Sequence, residues 1–243
     1  LVIGRVLTYR GEYEQARPHL RSALAGFEMA GDRRRTATAL TQLGRAARDQ
    51  GEYEQARAFH RRSLSTTRAL GDAAGEASGL TELGSTLFGL GKYDRAREQF
   101  ERSLDIARDR GDRTQELSNL NWLGNVALYR SEYDRASEYF EQATELARAV
   151  GDPQIEAEIL GTRGLVAERL GNYEQAQAYL EDGLALAAEV GDNRTIAARH
   201  NNLGLVAVRL GEHERAREQF QSGLEITREH GHRRHEANSL NGL

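Results

Sequence analysis

Apolar residues return along this chain at helical spacing, in runs that glycine interrupts at regular intervals. Between Asp72 and Gly91 they fall at Leu80, Leu83, Leu87 and Leu90, which share one side of a helix. Between Tyr93 and Arg110 they fall at Ala96, Phe100, Leu104 and Ile106 or Ala107. Each run predicts an amphipathic helix of about 17 residues, roughly 26 Å long. The polar punctuation agrees. Asp72 suits an N-cap, because its carboxylate accepts from free first-turn amides. Glu76 places negative charge near the positive end of the helix dipole. Gly91 and Gly111 are expected to end the two helices in the left-handed conformation, which glycine adopts cheaply.

The pattern has a period of 40 residues. The phrase Gly-Glu-Tyr-Glu-Gln-Ala stands at Gly11–Ala16 and Gly51–Ala56, with variants starting at Gly91, Ser131, Gly171 and Gly211. Gly-Asp recurs at Gly31, Gly71, Gly111, Gly151 and Gly191, and Gly231-His232 is an altered sixth copy. A third glycine, usually after leucine, recurs at Gly4, Gly44, Gly84, Gly124, Gly164 and Gly204. Such self-similarity predicts an all-α array of antiparallel helix hairpins over 1–243, with no strand. It begins with a second helix near 12–30. Two-helix units follow at 32–71, 72–111, 112–151, 152–191 and 192–231, and partial helices flank them at 1–10 and 233–243. Leu1 aligns with Thr41 and Leu243 with Leu43, so the sequence opens and closes inside a first helix with no polar capping unit. The expectation is a fragment of a longer array or multidomain protein, or self-association through uncapped ends.

A glycine inside a helix costs roughly 0.5–1 kcal/mol relative to alanine. The glycines at 4, 44, 84, 124, 164 and 204 therefore predict close packing, with a bulky neighbour from the paired helix in the space. Tyr13, Tyr53, Tyr93, Tyr133, Tyr173 and His213 are candidates, with Phe100, Phe140 and Phe220. Ala16, Ala56, Ala96, Ala136, Ala176 and Ala216 form the matching small column. Pro153, just after Asp152, suits a first helical turn. Pro18 lies inside an expected helix and predicts a kink or frayed start.

Leu43-Gly44, Gly51, Tyr53 and Ala56, with the later aromatics Phe100, Phe140 and Phe220, resemble the tetratricopeptide repeat. The chain departs from the commoner pattern in its longer period. Gly-Asp stands in place of the closing proline, and leucine (Leu40, Leu80, Leu120, Leu160) replaces an early aromatic. The longer variant is similar to repeats of spindle-orientation adaptors, kinesin light chains, and sensor arms of bacterial regulators and signalling ATPases. The resemblance implies a right-handed α-solenoid, a superhelix whose first helices line a concave peptide-binding groove.

In each first helix, the stripe of Leu120, Leu123 and Ala127 is expected to face the paired helix, and the opposite stripe the groove. That opposite stripe nominates Thr41, Arg45, Arg48, Thr81, Ser85, Phe88, Asn121, Trp122, Asn125, Tyr129, Leu165, Arg169, Asn201, Leu205 and Arg209. Gly161, Leu128, Glu168, Val208 and Asn241 lie in the same register. An asparagine offers donor and acceptor together and suits a peptide main chain. Trp122, Tyr129 and Phe88 are candidate anchors, and the arginines would favour an acidic partner. The bland alternative is that the polar residues are solvated and the aromatics, Trp122 above all, pack between repeats.

Composition narrows the function. With no cysteine, disulfides, thiolate metal sites and a cysteine nucleophile are excluded. A net charge of −4 argues against nucleic acid, and no apolar run reaches the roughly 20 residues of a membrane span. Every basic residue but Lys92 is arginine, which reads as a GC-rich, bacterial genome. His230, His232, His235 and His200 span a turn without a matched carboxylate and carry no metal expectation. Gly89-Leu90-Gly91-Lys92 has the wrong spacing for a phosphate loop. Arg33-Arg34-Arg35 and Arg61-Arg62 read as solvated faces. No nucleophile stands beside a base in any readable motif. The reading is a cytoplasmic protein- or peptide-binding scaffold, with no enzyme activity, cofactor or metal. The competing reading is the sensor or regulatory arm of a bacterial multidomain transcriptional regulator, signalling ATPase or protease.

Overall fold

The computed structural model describes residues 1–230 and contains no strand among them. The partial helix expected at 233–243, with His232, His235 and Asn241, lies outside the described residues, as does the side chain of His230. Among the described residues twelve helices follow one another: α1 (Val2–Tyr9), α2 (Tyr13–Met29), α3 (Arg33–Asp49), α4 (Tyr53–Ala69), α5 (Ala73–Gly89), α6 (Tyr93–Arg110), α7 (Arg113–Tyr129), α8 (Tyr133–Val150), α9 (Pro153–Arg169), α10 (Tyr173–Val190), α11 (Asn193–Leu210) and α12 (His213–His230). The odd-numbered helices are the first helices of the sequence repeat. The all-helical expectation holds.

The starts follow the capping chemistry. Asp32, Asp72, Asp112 and Asp152 each accept from the main-chain N–H three residues on, at 3.0 Å. Asp192 accepts from Arg194 and Thr195 N–H, both at 3.1 Å. The stops follow glycine: Gly111 closes α6 at φ +65°. In the α7–α8 turn Ser131 holds the glycine position at φ +60°, a conformation that costs a side chain about 1 kcal/mol. Pro153 occupies the first turn of α9. Helix α2 runs without a break through Pro18, so the expected frayed start does not appear. Pro18 is the sixth residue of the helix. It forfeits one of the earliest intrahelical bonds and leaves the later ladder intact.

The chain divides into two compact units, Leu1–Val126 and Ala127–Leu243. In the first unit each helix from α1 to α6 packs on the next, and the first helices α1, α3 and α5 also touch. In the second, α8 to α12 pack in sequence and α9 meets α11.

The repeated glycines explain the closeness of each hairpin. A Cβ on Gly84 would lie 2.6 Å from the Phe100 ring, and one on Gly204 2.6 Å from Phe220. Gly4 stands in the same relation to Leu20, Gly164 to Leu180, and Gly44 to the His60 ring. Leu20, Phe100, Phe140, Leu180 and Phe220 are fully buried, and so is the alanine column from Ala16 to Ala216. The tyrosines expected beside these glycines lie elsewhere. Tyr53 rests on Gly89, Tyr93 meets Phe88 edge-on at 5.3 Å, and His213 is exposed. Phe100 comes about two helical turns after Tyr93. The tyrosine therefore reaches one end of the hairpin and the phenylalanine its middle.

Candidate partner-binding faces

In the first unit, the first-helix face is tied together by its own charges. Arg45 Nε donates to Glu82 Oε1 at 2.6 Å, and Arg48 Nη1 donates to Glu82 Oε2 at 2.7 Å. Arg48 Nη1 also donates to Ser85 Oγ at 2.8 Å. Glu82 is only 8% exposed. Burial by itself would raise its pKa, but the two guanidinium groups hold the carboxyl below the ordinary glutamate range. Next to this cluster His60 is fully buried, and neither ring nitrogen has a hydrogen-bond partner. Burial pushes the imidazole down to about 4. Glu82 pulls the other way, as does a weak contact with the Gly44 backbone outside hydrogen-bond geometry, while Arg48 and Arg45 add to the depression. The ring is neutral at pH 7.

Beneath the same face lie layers of hydroxyls. Thr81 and Ser103 are 2.9 Å apart, and Ser103 donates to the Ala77 carbonyl at 2.8 Å. The Asn119 side chain completes this layer. It accepts from Thr81 at 2.8 Å and donates to Ser103 at 2.9 Å. Gln115 donates to Thr81 at 2.7 Å. One repeat earlier, Thr41 and Ser63 are 2.8 Å apart and Ser63 donates to Ala37 O at 2.9 Å.

These contacts locate the predicted groove residues of the first unit. Thr81 and Ser85 are buried, and Arg45 and Arg48 are committed to Glu82. Asn125 donates back to the Asn121 carbonyl at 2.8 Å. Trp122 stacks on Phe100, with centroids 5.4 Å apart and planes 7° apart, and meets Phe88 edge-on at 5.6 Å. It therefore packs between neighbouring hairpins, as the alternative reading had it. Tyr129, at the end of α7, is 61% exposed.

The second unit is built differently at both levels. On the face of α9 and α11, Leu165 is 37%, Leu205 52% and Val208 44% exposed. Arg209 Nε donates to Glu168 Oε1 at 3.2 Å, joining the two helices, and Arg169 lies 3.8 Å from the same carboxylate. Both arginine side chains remain more than half exposed. Asn201 is buried. In the layer below, glycines occupy both hydroxyl positions, Gly161 and Gly183. A Cβ on Gly161 would overlap the Arg199 guanidinium, which is buried there. Arg199 Nη2 donates to Ala157 O at 3.1 Å and Glu158 O at 3.3 Å, while its Nε lacks an acceptor. Burial lowers its pKa to about 10, against the pull of Glu158 and Asp192. Nearby, the Arg163 guanidinium lies 4.2 Å from the Tyr179 ring centroid and donates to its hydroxyl at 2.8 Å.

Sequence reasoning passed over Glu82, His60 and Arg199. His60 departs from a column otherwise filled by Leu20, Phe100 and Phe140, whereas Glu82 and Arg199 stand in columns of mixed residue type that carry no such signal. Among the described residues no group of three or more His, Asp or Glu side chains is placed to hold a metal ion. His200 instead faces Gln219 at 2.8 Å. No described helix is long and apolar enough to cross a membrane.

No curated protein matches this chain in sequence. Among solved structures it is similar to BtubC (BKLC) from P. vanneervenii, with TM-score 0.81 and 17% identity over 90% of this chain and 92% of that one. It is similar to a Signal Transduction ATPase with Numerous Domains protein with a tetratricopeptide repeat sensor from Pyrococcus horikoshii. There the TM-score is 0.80 and the identity 17%, over 100% of this chain and 40% of that one, so this chain spans less than half of that ATPase. It is also similar to NprR in complex with its cognate peptide NprX, with TM-score 0.66 and 15% identity over 94% and 66% of the two chains. At such identities the likeness is one of fold. The sequence profile of the tetratricopeptide repeat matches residues 1–69, 75–149 and 155–243, and a second profile of the same repeat matches 123–186. This chain belongs to the tetratricopeptide repeat family.

Proposed function

We propose that this chain is a non-catalytic protein-interaction scaffold, and that its second unit holds a peptide or partner segment on the face of α9 and α11. The observation that carries this reading is the exposure of Leu165, Leu205 and Val208 on one face, in register with Arg169 and Arg209. Exposed apolar side chains gain roughly 25 cal/mol for each Å² a partner covers. The arginines steer the partner, so a segment with apolar and acidic side chains fits best. The likeness to NprR, a protein described with its cognate peptide, supports a peptide-sized occupant.

The test is a display selection of peptides on the intact chain, followed by affinity measurement on Leu165→Asp and Leu205→Asp. Each substitution is expected to weaken the selected peptides by about tenfold or more, equivalent to about 1.4 kcal/mol. It should leave the urea unfolding midpoint nearly unchanged, as surface changes do. Peptides that bind both variants as well as the parent would overturn the site, and a selection that yields no peptide would overturn the scaffold reading.

A second reading, as the sensor or regulatory arm of a larger regulator, ATPase or protease, is favoured by the likeness to the sensor-bearing ATPase. A full reading frame with no effector domain beside these repeats would end it.

A further inference from the structure

Three equivalent layers under the first helices can be compared, and they differ in what fills them. Between α5 and α7 the layer of Thr81, Ser103 and the Ala77 carbonyl is completed by Asn119. Between α9 and α11 the equivalent carbonyl, Ala157 O, receives Arg199, which stands at the same repeat position as Asn119. Between α3 and α5 the frame is reproduced closely. Thr41 Oγ1 lies 3.1 Å from Ala37 O, as Thr81 Oγ1 lies 3.2 Å from Ala77 O, and in the sister layer the threonine proton is free to turn to the Asn119 oxygen. The two hydroxyls are 2.8 Å apart, against 2.9 Å in the sister layer. Here, however, the position of Asn119 is taken by Gly79 and that of Gln115 by Gly75. Neither amide is present at those two positions. Beside Gly75 is a half-open cavity of about 210 Å³, lined by Thr41, Gln42, Ser63 and Ser78 together with the charged Arg34, Arg45 and Asp72.

We infer that the cavity between α3 and α5 is a binding site for a primary carboxamide group, carried either by an Asn or Gln side chain of a bound partner or by a small free amide. The chemistry follows from the sister layer. One amide oxygen accepts from the threonine hydroxyl and one amide nitrogen donates to the serine hydroxyl, a pairing that a carboxamide satisfies and a carboxylate or an ammonium does not. Ser63 is buried, so its remaining acceptor capacity lies at the inner wall of the half-open cavity, where a matched polar group is favoured over a mismatched one. The volume exceeds several water molecules at about 30 Å³ each and admits an amide with its first methylenes. Thr41 and Arg45 also line the cavity, so it opens along the first-helix side that α3 and α5 present.

The geometry supplies its own blocking variant. A Cβ on Gly79 would lie no nearer than 3.4 Å to Leu64 Cδ1, an ordinary contact. Gly79 does not itself line the cavity, but it holds the repeat position of Asn119, so Gly79→Asn is expected to reach Thr41 and Ser63 as Asn119 reaches Thr81 and Ser103. The intact chain is titrated with propionamide and with N,N-dimethylpropionamide, which lacks the donors, and followed by backbone-amide NMR. Saturable shifts at Thr41, Ser63, Gly75 and Gly79 with propionamide only, abolished in Gly79→Asn, are the expected result. Gly79→Asn should also melt above the parent, which would show that it folds and fills the site. Ser63→Ala, as a second variant, should weaken propionamide about fivefold through loss of one hydrogen bond.

In a second arm, peptides selected on the parent chain are measured against Gly79→Asn. Peptides with Asn or Gln at one fixed position that lose about tenfold or more in affinity identify a partner side chain as the source. Propionamide binding without such peptides identifies a free amide. The inference is overturned if both amides shift the same residues equally, if Gly79→Asn binds propionamide like the parent, or if neither arm detects binding. Selected peptides that bind the parent and Gly79→Asn alike overturn the carboxamide site and leave the scaffold reading standing.

Discussion

The two units use the same hairpin and hide polarity in opposite ways. In the first, the layer between α5 and α7 is neutral, and Thr81, Ser103 and Asn119 each find a partner. In the second, Gly161 and Gly183 clear the equivalent space and a charged guanidinium enters it with one nitrogen unpaired. The faces above reverse the contrast. The first unit closes its charges on Glu82, whereas the second leaves Leu165, Leu205 and Val208 uncovered. A repeat backbone thus prescribes where a side chain sits and leaves open whether the position is filled by a hydroxyl, an amide or a charge. A satisfied neutral network stabilises and specifies, while a buried charge is tolerated only as long as its few bonds hold.

The contrast is broken most strongly through His60, a titratable group in a column otherwise filled by leucine and phenylalanine. Its pKa falls from 6.5 to about 4 on folding. The folded ring stays neutral while the unfolded ring takes up a proton below pH 6.5. Stability is therefore fully present above pH 6.5 and declines as pH drops toward 4, by up to about 3 kcal/mol. His60→Phe, which copies Phe100, should flatten that decline. Urea midpoints across pH 4.5–7 check it, and equal slopes for variant and parent would show that the ring is not held neutral.

Gly161→Thr comes next. The new side chain must displace the Arg199 guanidinium, so a loss of about 2–3 kcal/mol is expected in urea unfolding. Adding Gly183→Ser and Arg199→Asn, which rebuilds the first unit's layer inside the second, should restore most of it. A triple variant no better than the single one would mean that the two layers are not interchangeable.

Glu82→Gln removes the charge that two arginines share. A buried ion pair costs about 3–5 kcal/mol to break from one side, but Arg45 and Arg48 are partly solvated. A loss of about 1–2 kcal/mol is expected, and the parent's advantage should shrink in high salt. A salt-independent difference would count against the ionic account. The smallest effect belongs to Ser131→Gly, which relieves a left-handed side chain in the α7–α8 turn. A gain of about 0.5–1 kcal/mol is expected, and a lower melting temperature would refute it.

Much of the fold was legible in advance because its signals are local. The aspartate caps, the glycine stops and the helical spacing act within a few residues of the positions they control. The side of each first helix that carries Leu165, Leu205 and Arg209 followed from the same spacing. The partners on that side did not. Arg45 and Glu82 lie 37 residues apart, and Thr81 and Asn119 lie 38 apart. Periodicity places such residues on neighbouring helices without saying which will turn toward each other. Trp122 shows the limit: its aromatic bulk suited either a groove anchor or packing between repeats, and its ring stacks on Phe100.

The amino-acid sequence by itself determined the two-helix unit, its 40-residue register, and the columns of glycine, alanine and bulky residues that close each hairpin. Caps, stops and apolar spacing are properties of short segments, and they repeat. Only the tertiary structure decided that Glu82 stays ionised between two arginines, that His60 stays neutral, that Arg199 fills a space made by two glycines, and that a cavity lies beside Thr41 and Ser63. Those outcomes depend on distances between helices and on how far water is excluded, and no single helix carries that information.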